Sequence, residues 1–275
     1  MKKFGLIGHP IAHSLSPALF KAAYGGRYTY DLIEGDDFEE SYGKFLEEYD
    51  AINITAPFKE QAYRKADLKS VECEAIGAAN ILTKNADGQI SADNSDVTGV
   101  IGAITAQGNI SGTGTQALIV GCGGAALAAA YATCRLGYST TIINRNEQKA
   151  REFAHRLRQN GLSDITAAGL DSFCECFRRA SVIIYNLPVT IPQIAELSSR
   201  DIKGGCLWRK DRKLILEANY KDPAFTPDLM ESLRSANSRI SFISGKEWLL
   251  QQAVGAYRIF TGEEPDIQAM RKVIG

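Results

Sequence analysis

Short apolar runs alternate with amphipathic stretches along most of the chain. Phe4-Gly5-Leu6-Ile7-Gly8 reads as a buried strand that ends where Gly and Pro follow. Ser16-Pro17 predicts a helix start, because Ser is a favoured N-cap and Pro suits the first helical position; Gly25-Gly26 closes that helix. Residues 28–33 alternate as a strand, 38–49 form an amphipathic helix, and 51–55 are a strand ended by Pro57. A helix over 58–66 follows. Strands at 79–83 and 89–92 flank Asn85-Ala86-Asp87-Gly88, a hairpin-turn signal. This part of the chain predicts a mixed sheet with at least one antiparallel edge.

A helix over 97–106 leads into the polar stretch 107–115, where Gly108, Gly112 and Gly114 mark a domain boundary. Beyond it come a strand at 116–121, a glycine turn and an alanine-rich helix at 125–136. A strand at 139–144, a charged amphipathic helix at 147–159 and strands at 181–185 and 213–217 follow. Residues 246–260 and 266–273 are helical. Strands alternating with helices in this rhythm predict a Rossmann-like, doubly wound α/β domain after a mixed α/β domain.

Composition narrows the function. The 275 residues carry 31 basic and 32 acidic side chains, a net charge of −1, which is no footprint for nucleic acid. Lys2 and Lys3 precede too short an apolar run for a secretory signal, so a first buried strand is expected there. No apolar run approaches the roughly 18 residues of a membrane span, and a cytoplasmic protein is expected. The six cysteines (Cys73, Cys122, Cys134, Cys174, Cys176, Cys206) lack metal-ligand spacing; they read as reduced, with no metal.

Gly121-Cys122-Gly123-Gly124-Ala125-Ala126 sits between an apolar strand and the alanine-rich helix. Gly121 allows the tight turn and Gly123 lets backbone approach a pyrophosphate. Gly124, Ala125 and their neighbours offer helix N-terminal N–H groups, and Ala126 permits close packing. At the end of the next strand, where a carboxylate would accept from the ribose hydroxyls of NAD, the chain has Asn144-Arg145-Asn146. Arg145 suits a 2′-phosphate, so NADP is the expected cofactor; a solvated surface arginine is the other reading.

Ser14 and Ser16 lie just before and at the N-cap of the first helix, where hydroxyls and helix N–H groups suit a carboxylate. Taken alone, Ser16 reads better as a cap. Lys59 occupies the first turn of a helix, where the macrodipole disfavours a cation by roughly 0.3–1 kcal/mol; that location suits a proton-transfer group. Asp96 starts another helix and reads either as a cap or as a partner of Lys59.

The motifs together resemble the shikimate dehydrogenase family. Gly8-x-Pro10-x-x-His13-Ser14-x-Ser16-Pro17 is similar to the family's opening motif, whose serines hold the substrate carboxylate. Asn53-Ile54-Thr55-x-Pro57-x-Lys59 resembles the segment with the catalytic lysine, with Thr55 a substrate contact. Gly77-Ala78-Ala79-Asn80 resembles the segment whose asparagine contacts ring hydroxyls. Asn94-Ser95-Asp96 resembles the family's Asn-Thr-Asp, which implies Asp96 as partner of Lys59 and Asn94 as a pocket neighbour. Tyr220 and Gln252 resemble further substrate contacts, and Gly245 is placed at the cofactor.

The resemblance implies a substrate domain at 1–106, completed by the returning C-terminal helices 246–275, and a cofactor domain at 107–245. It implies interconversion of 3-dehydroshikimate and shikimate by a monomer or homodimer. Quinate or aminoshikimate as substrate, and a non-catalytic NADP- and cyclic-acid-binding protein, are the alternatives. The chain departs from the family at Phe20-Lys21, at Asn186-Leu187-Pro188-Val189, which bears on NADP affinity, and at Lys246-Glu247.

Overall fold

The computed structural model describes residues 2–107, 115–203 and 212–275. Most of the boundary stretch 107–115, and Cys206, lie outside the described residues. The chain divides into two compact units, Met1–Gly99 with Leu249–Gly275, and Val100–Trp248.

In the first unit β1 (Lys3–Gly8), β2 (Thr29–Glu34), β3 (Ala51–Ile54), β4 (Leu68–Lys69), β5 (Ile81–Lys84) and β6 (Ile90–Asp93) form one sheet. Its order is β2-β1-β3-β5-β6-β4. Only β5 runs against its neighbours, β3 and β6, among the described strands. The antiparallel strand is therefore interior, which corrects the expected antiparallel edge. The turn at 85–88 returns the chain beside β5 as predicted, with Gly88 at φ +85°. The short β4, earlier in sequence, then pairs parallel with the outer side of β6.

Helices α1 (Ser16–Tyr24), α2 (Phe38–Glu48), α3 (Lys59–Lys65) and α4 (Val71–Ile76) connect these strands, and α5 (Ser95–Thr105) follows β6. Their ends follow local chemistry. The Asp37 carboxylate accepts from the N–H groups of Glu39 and Glu40 to start α2, and Gly25 in the left-handed region stops α1. Successive strand residues feed opposite cores. Ile52 and Leu82 join Ile7, Phe38 and Phe45, while Ala51 and Ile81 join Phe4, Leu19 and Phe20. Burial on both faces explains why these strands read as continuous apolar runs.

In the second unit β7 (Gln116–Val120), β8 (Ser139–Asn144), β9 (Ile165–Gly169), β10 (Val182–Tyr185), β11 (Lys213–Glu217) and β12 (Ile240–Ser244) form a sheet. Its order is β12-β11-β10-β7-β8-β9, and every pairing is parallel. This is the doubly wound arrangement predicted, with its reversal of strand order between β7 and β10. The helices are α6 (Gly124–Arg135), α7 (Glu147–Gln159), α8 (Phe173–Arg179), α9 (Ser199–Lys203) and α10 (Pro227–Ala236). Lys213 is fully buried, and its ammonium donates to the carbonyls of Phe177, Arg178 and Ala180 at 2.6, 3.0 and 2.8 Å. A cation there satisfies carbonyls at the C-terminal end of α8 that the helix leaves unpaired.

Helices α11 (Gly245–Thr261) and α12 (Ile267–Ile274) close the chain, and from Leu249 onward they belong to the first unit. Leu250, Tyr257, Phe260 and Met270 enter the core around Phe4 and Phe20. The Tyr24 hydroxyl donates to the Tyr257 carbonyl at 3.0 Å, and the Asp266 N–H donates to Ala23 at 2.9 Å. Among the described residues no helix is long and apolar enough to cross a membrane.

Candidate active site

Strand order in the first unit reverses at β1, which lies between β2 and β3, and crevices at such reversals collect ligands. Two loops meet there. The Thr55 N–H donates to Ile7 at 2.9 Å and the His9 N–H to Ala56 at 3.1 Å, and the His9–Pro10 and Ala56–Pro57 peptides are cis. Gly8 is required by this closeness, since a Cβ on it would lie 2.3 Å from the Thr55 methyl. The Thr55 hydroxyl has no hydrogen-bond partner among the described residues.

The first of these loops leads to the serines. The Ser14 and Ser16 hydroxyls are 3.1 Å apart, and Ser14 Oγ accepts from the Ser16 N–H at 3.2 Å. Ser16 is thus not the cap of α1. The capping position is Leu15, which offers no side-chain oxygen, and Ser14 takes the orphaned N–H instead. Both hydroxyls are brought together at the helix N-terminus.

The second loop leads to Lys59, the first residue of α3. Its ammonium donates to Asp96 Oδ2 at 2.5 Å, and the two side chains are only 17% and 11% exposed. Asn94 Oδ1 accepts the Asp96 N–H at 3.1 Å, and Asn94 Nδ2 donates to the Ala78 carbonyl at 2.9 Å. Helix dipoles act oppositely on the pair: the N-terminus of α5 favours the carboxylate, and that of α3 disfavours the ammonium. The arrangement holds a proton donor and acceptor in direct contact with little water around them.

Beside this pair, Asn80 Oδ1 accepts from the Ser95 N–H at 2.8 Å. Asn80 Nδ2 donates to Ser95 Oγ at 3.2 Å and to Gln252 Oε1 at 3.5 Å, and Ser95 Oγ donates to Gln252 Oε1 at 3.2 Å. The Lys59 carbonyl accepts from the Ala79 N–H at 2.9 Å, so backbone joins the two clusters. Ser95 is the junction, and residue chemistry did not single it out; its place between Asn94 and Asp96 is the signal that points to it. Asn53 and Tyr30 also escape the sequence reading. The hydroxyl of the half-buried Tyr30 donates to Asn53 Oδ1 at 2.8 Å, and Asn53 Nδ2 donates to the Asn80 carbonyl at 3.3 Å.

The second unit has its own crevice at the carboxyl ends of β7 and β10. Gly121 turns at φ +109°, and a Cβ on it would meet the Leu187 side chain at 3.1 Å. Gly123 caps α6 without any side-chain hydrogen bond, and nothing lies within 4 Å of its missing Cβ. Gly124 and Ala125 follow as the first helical residues. These bare N–H groups fit a pyrophosphate. The Asn186–Val189 loop is held by Tyr185, whose hydroxyl donates to Val189 at 2.6 Å and accepts from Ile191 at 3.1 Å. Burial pushes that phenol up to about 12.

The three residues at the end of β8 differ in role. Asn144 Nδ2 donates to the Asn146 carbonyl at 3.1 Å, and Asn146 Oδ1 caps α7 by accepting from Lys149 at 3.1 Å. Arg145 is exposed, and its guanidinium makes no hydrogen bond or ion pair among the described residues. The nearby Glu147 carboxylate is bound by Arg151 at 2.5 Å. A free guanidinium and an occupied carboxylate fit a 2′-phosphate.

Tyr220 is half-buried in the segment after β11. The buried Glu217 accepts there from the N–H groups of Ala224 at 2.5 Å and Phe225 at 3.0 Å, and burial pushes its carboxyl up. A Cβ on Gly245 would lie 2.2 Å from the Ala218 carbonyl oxygen, so close packing against the end of β11 requires glycine there. Among the described residues no group of three or more His, Cys, Asp or Glu is placed to hold a metal.

Residues 6–82 match the shikimate dehydrogenase substrate binding domain, and residues 249–274 match the shikimate 5′-dehydrogenase C-terminal domain. The shikimate dehydrogenase (NADP(+)) of Methanocella arvoryzae is 30% identical over 280 residues, covering 99% of this chain and 97% of that protein. This chain belongs to the shikimate dehydrogenase family. The pentafunctional AROM polypeptide of Yarrowia lipolytica is 31% identical over 268 residues, 94% of this chain but only 17% of the polypeptide. Among solved structures, the shikimate 5-dehydrogenase of Thermus thermophilus in complex with NADP(H) and shikimate superposes with a TM-score of 0.79. It is 26% identical, and the match covers 100% of this chain and 98% of that one. The family match falls on the segments that carry Ser14, Ser16, Thr55, Lys59 and Asn80 and, near the end, Gln252.

Proposed function

We propose that the protein is an NADP-dependent dehydrogenase that interconverts 3-dehydroshikimate and shikimate in aromatic amino acid biosynthesis. The observation that carries this reading is the Lys59–Asp96 contact of 2.5 Å, set among amide and hydroxyl groups suited to a polyhydroxylated ring. Full-length likeness to NADP-dependent relatives supports it.

The dinucleotide, when bound, supplies or accepts the hydride at C3 of the substrate. The backbone of Gly121, Gly123, Gly124 and Ala125 holds its pyrophosphate, and Arg145, with Asn144 and Asn146 setting the turn, holds its 2′-phosphate. Gly245 acts on this side through its close approach to β11. Lys59 gives a proton to the substrate's C3 oxygen as negative charge builds there, and takes it back in the reverse direction. Asp96 keeps the ammonium aimed. Ser14 and Ser16 hold the carboxylate, while Thr55, Asn80, Asn94, Tyr220 and Gln252 position the ring and its hydroxyls.

Steady-state assays of the purified protein with shikimate or quinate, each with NADP or NAD, test this reading. The highest kcat/KM is expected with shikimate and NADP. A higher value with quinate would transfer the reading to that substrate, and no turnover with any pair would overturn it.

A further inference from the structure

Helix α11 reaches two ends of the substrate cluster in the first unit. Gln252 meets Asn80 and Ser95, and five residues later the Tyr257 hydroxyl donates to the Ser16 backbone carbonyl at 3.1 Å. Tyr257 is 1% exposed. Its ring packs edge-on against Phe20 at 4.7 Å and lies 6.1 Å from the ring of Tyr30. One buried phenol is therefore bound to the backbone of Ser16, and one half-buried phenol to Asn53.

A serine hydroxyl has one proton, and donation to a carboxylate requires that proton to face the ligand. Ser14 Oγ accepts from the Ser16 N–H at 3.2 Å and donates to Ser16 Oγ at 3.1 Å, so the proton left to face an anion is that of Ser16. The direction of that Ser16 hydroxyl depends on its bond from Ser14 and on how its own backbone is held. Tyr257 holds that backbone through the Ser16 carbonyl. Burial pushes the phenols of Tyr257 and Tyr30 upward, with hydrogen bonding from Ser16 partly offsetting it at both. They stay protonated and neutral beside an incoming carboxylate.

We propose that Tyr257 is a positioning residue for carboxylate recognition, fixing Ser16 by its carbonyl so that the Ser14 and Ser16 hydroxyls converge on one anion. The inference rests on the reading that these serines hold the substrate's carboxylate. It also makes α11 one rigid element that sets both the ring contacts, through Gln252, and the carboxylate contacts, through Tyr257.

The test compares shikimate with its methyl ester, which keeps the ring and loses the charge. Tyr257→Phe retains the packing and deletes one hydroxyl. KM for shikimate should rise about 5- to 10-fold, the size of one lost hydrogen bond, with kcat and the KM for the ester little changed. Placing Tyr257→Phe on a Ser16→Ala background should add nothing further. Equal changes for acid and ester, or a fall in kcat alone, would mean a general structural role and overturn the proposal. So would an unchanged KM for shikimate. Should Tyr257→Phe fail to fold, the paired Ser14→Ala and Ser16→Ala variants decide, because a fixed pair predicts losses in acid-over-ester selectivity that are not additive. A wild type that does not prefer shikimate to its ester breaks the carboxylate reading itself, whereas a preference that survives Tyr257→Phe breaks only this one.

Discussion

At the carboxyl end of β1, Gly8 makes room for the Thr55 methyl; at the carboxyl end of β7, Gly121 and Gly123 leave backbone bare. Both units place a crevice where the strand order reverses, but they furnish it differently. The first fills its crevice with side chains already bonded to each other: Lys59 to Asp96, Asn80 to Ser95, Ser14 to Ser16. The second offers uncapped helix N–H groups and, among the described residues, an unpaired guanidinium. Discriminating one small ring demands fixed, directional partners, and a half-satisfied buried network would cost stability. Gripping phosphates needs only aligned dipoles and charge, which can stay solvated.

The comparison breaks most sharply at Lys59. Lys59→Ala should lower kcat by about 10²–10⁴-fold, the usual contribution of a general acid–base group, with a smaller change in KM. Lys59→Arg should rescue poorly, because a guanidinium keeps its charge but gives up a proton reluctantly. Asp96→Asn should also lower kcat, and the double variant should be little worse than either single. An unchanged kcat in Lys59→Ala would sink the mechanism, and additive losses would separate Asp96 from it.

The two crevice glycines should fail in opposite ways. Gly8→Ala forces Cβ into the Thr55 and Ile11 side chains, at 2.3 and 2.8 Å, and should reduce stability by about 1–3 kcal/mol. Gly123→Ala meets no atom within 4 Å, so Tm should hardly move, while NADPH binding weakens about tenfold or more through lost backbone approach. Thermal unfolding and titration with NADPH read out the pair. A Gly123→Ala protein with lower Tm and full NADPH affinity would reverse the comparison.

Arg145→Asp probes the same surface with a smaller effect. Removing one charge-assisted partner and adding a carboxylate should shift the NADP-over-NAD ratio of kcat/KM toward NAD by about 10- to 100-fold. A wild type that uses both cofactors equally would leave Arg145 a solvated surface residue.

The difference between the crevices also governs what the sequence discloses. Glycine turns and helix starts are local, so the Gly121–Ala126 turn, the strands at 139–144 and 213–217 and the helix at 147–159 stand where the pattern puts them. Weak patterns hide β9 and β12, whose residues are half-buried or mixed, and α8 and α9 are too short to show a period. Helix α10 is legible after the fact, with Thr226 capping, Pro227 following and Leu229, Met230, Leu233 and Ala236 on one face, and the sequence reading passes it over. In the side-chain crevice the residue types are readable and the partners are not. Ser95 meets Gln252 across 157 positions and Tyr257 meets Ser16 across 241, distances that no spacing rule spans. The interior place of β5 depends likewise on its pairing with β3, where Ala51 lies opposite Thr83, as well as with β6.

The smallest effect contrasts two carboxylates. Glu217, in the second unit, is buried, and its carboxyl pKa is raised above the ordinary 4.5 chiefly by that burial. The folded protein binds this proton more tightly than the unfolded chain. Its contribution to stability is therefore greatest below the unfolded pKa and is lost as pH rises through the folded one. Glu263, in the first unit, is only partly buried; hydrogen bonds from Tyr28 and Arg27 lower its carboxyl pKa below 4.5. Its contribution is present above the unfolded pKa and is lost as pH falls through the folded one. Glu217→Gln and Glu263→Gln remove the titrations one at a time. Between mildly acidic and neutral pH, the Tm of the wild type minus that of Glu217→Gln should fall as pH rises. Over a range extending below the ordinary carboxylate pKa, the corresponding difference for Glu263→Gln should rise with pH. Differences that slope the same way would mean that backbone bonding from Ala224 and Phe225, rather than burial, dominates at Glu217, and that the two carboxylates are held alike.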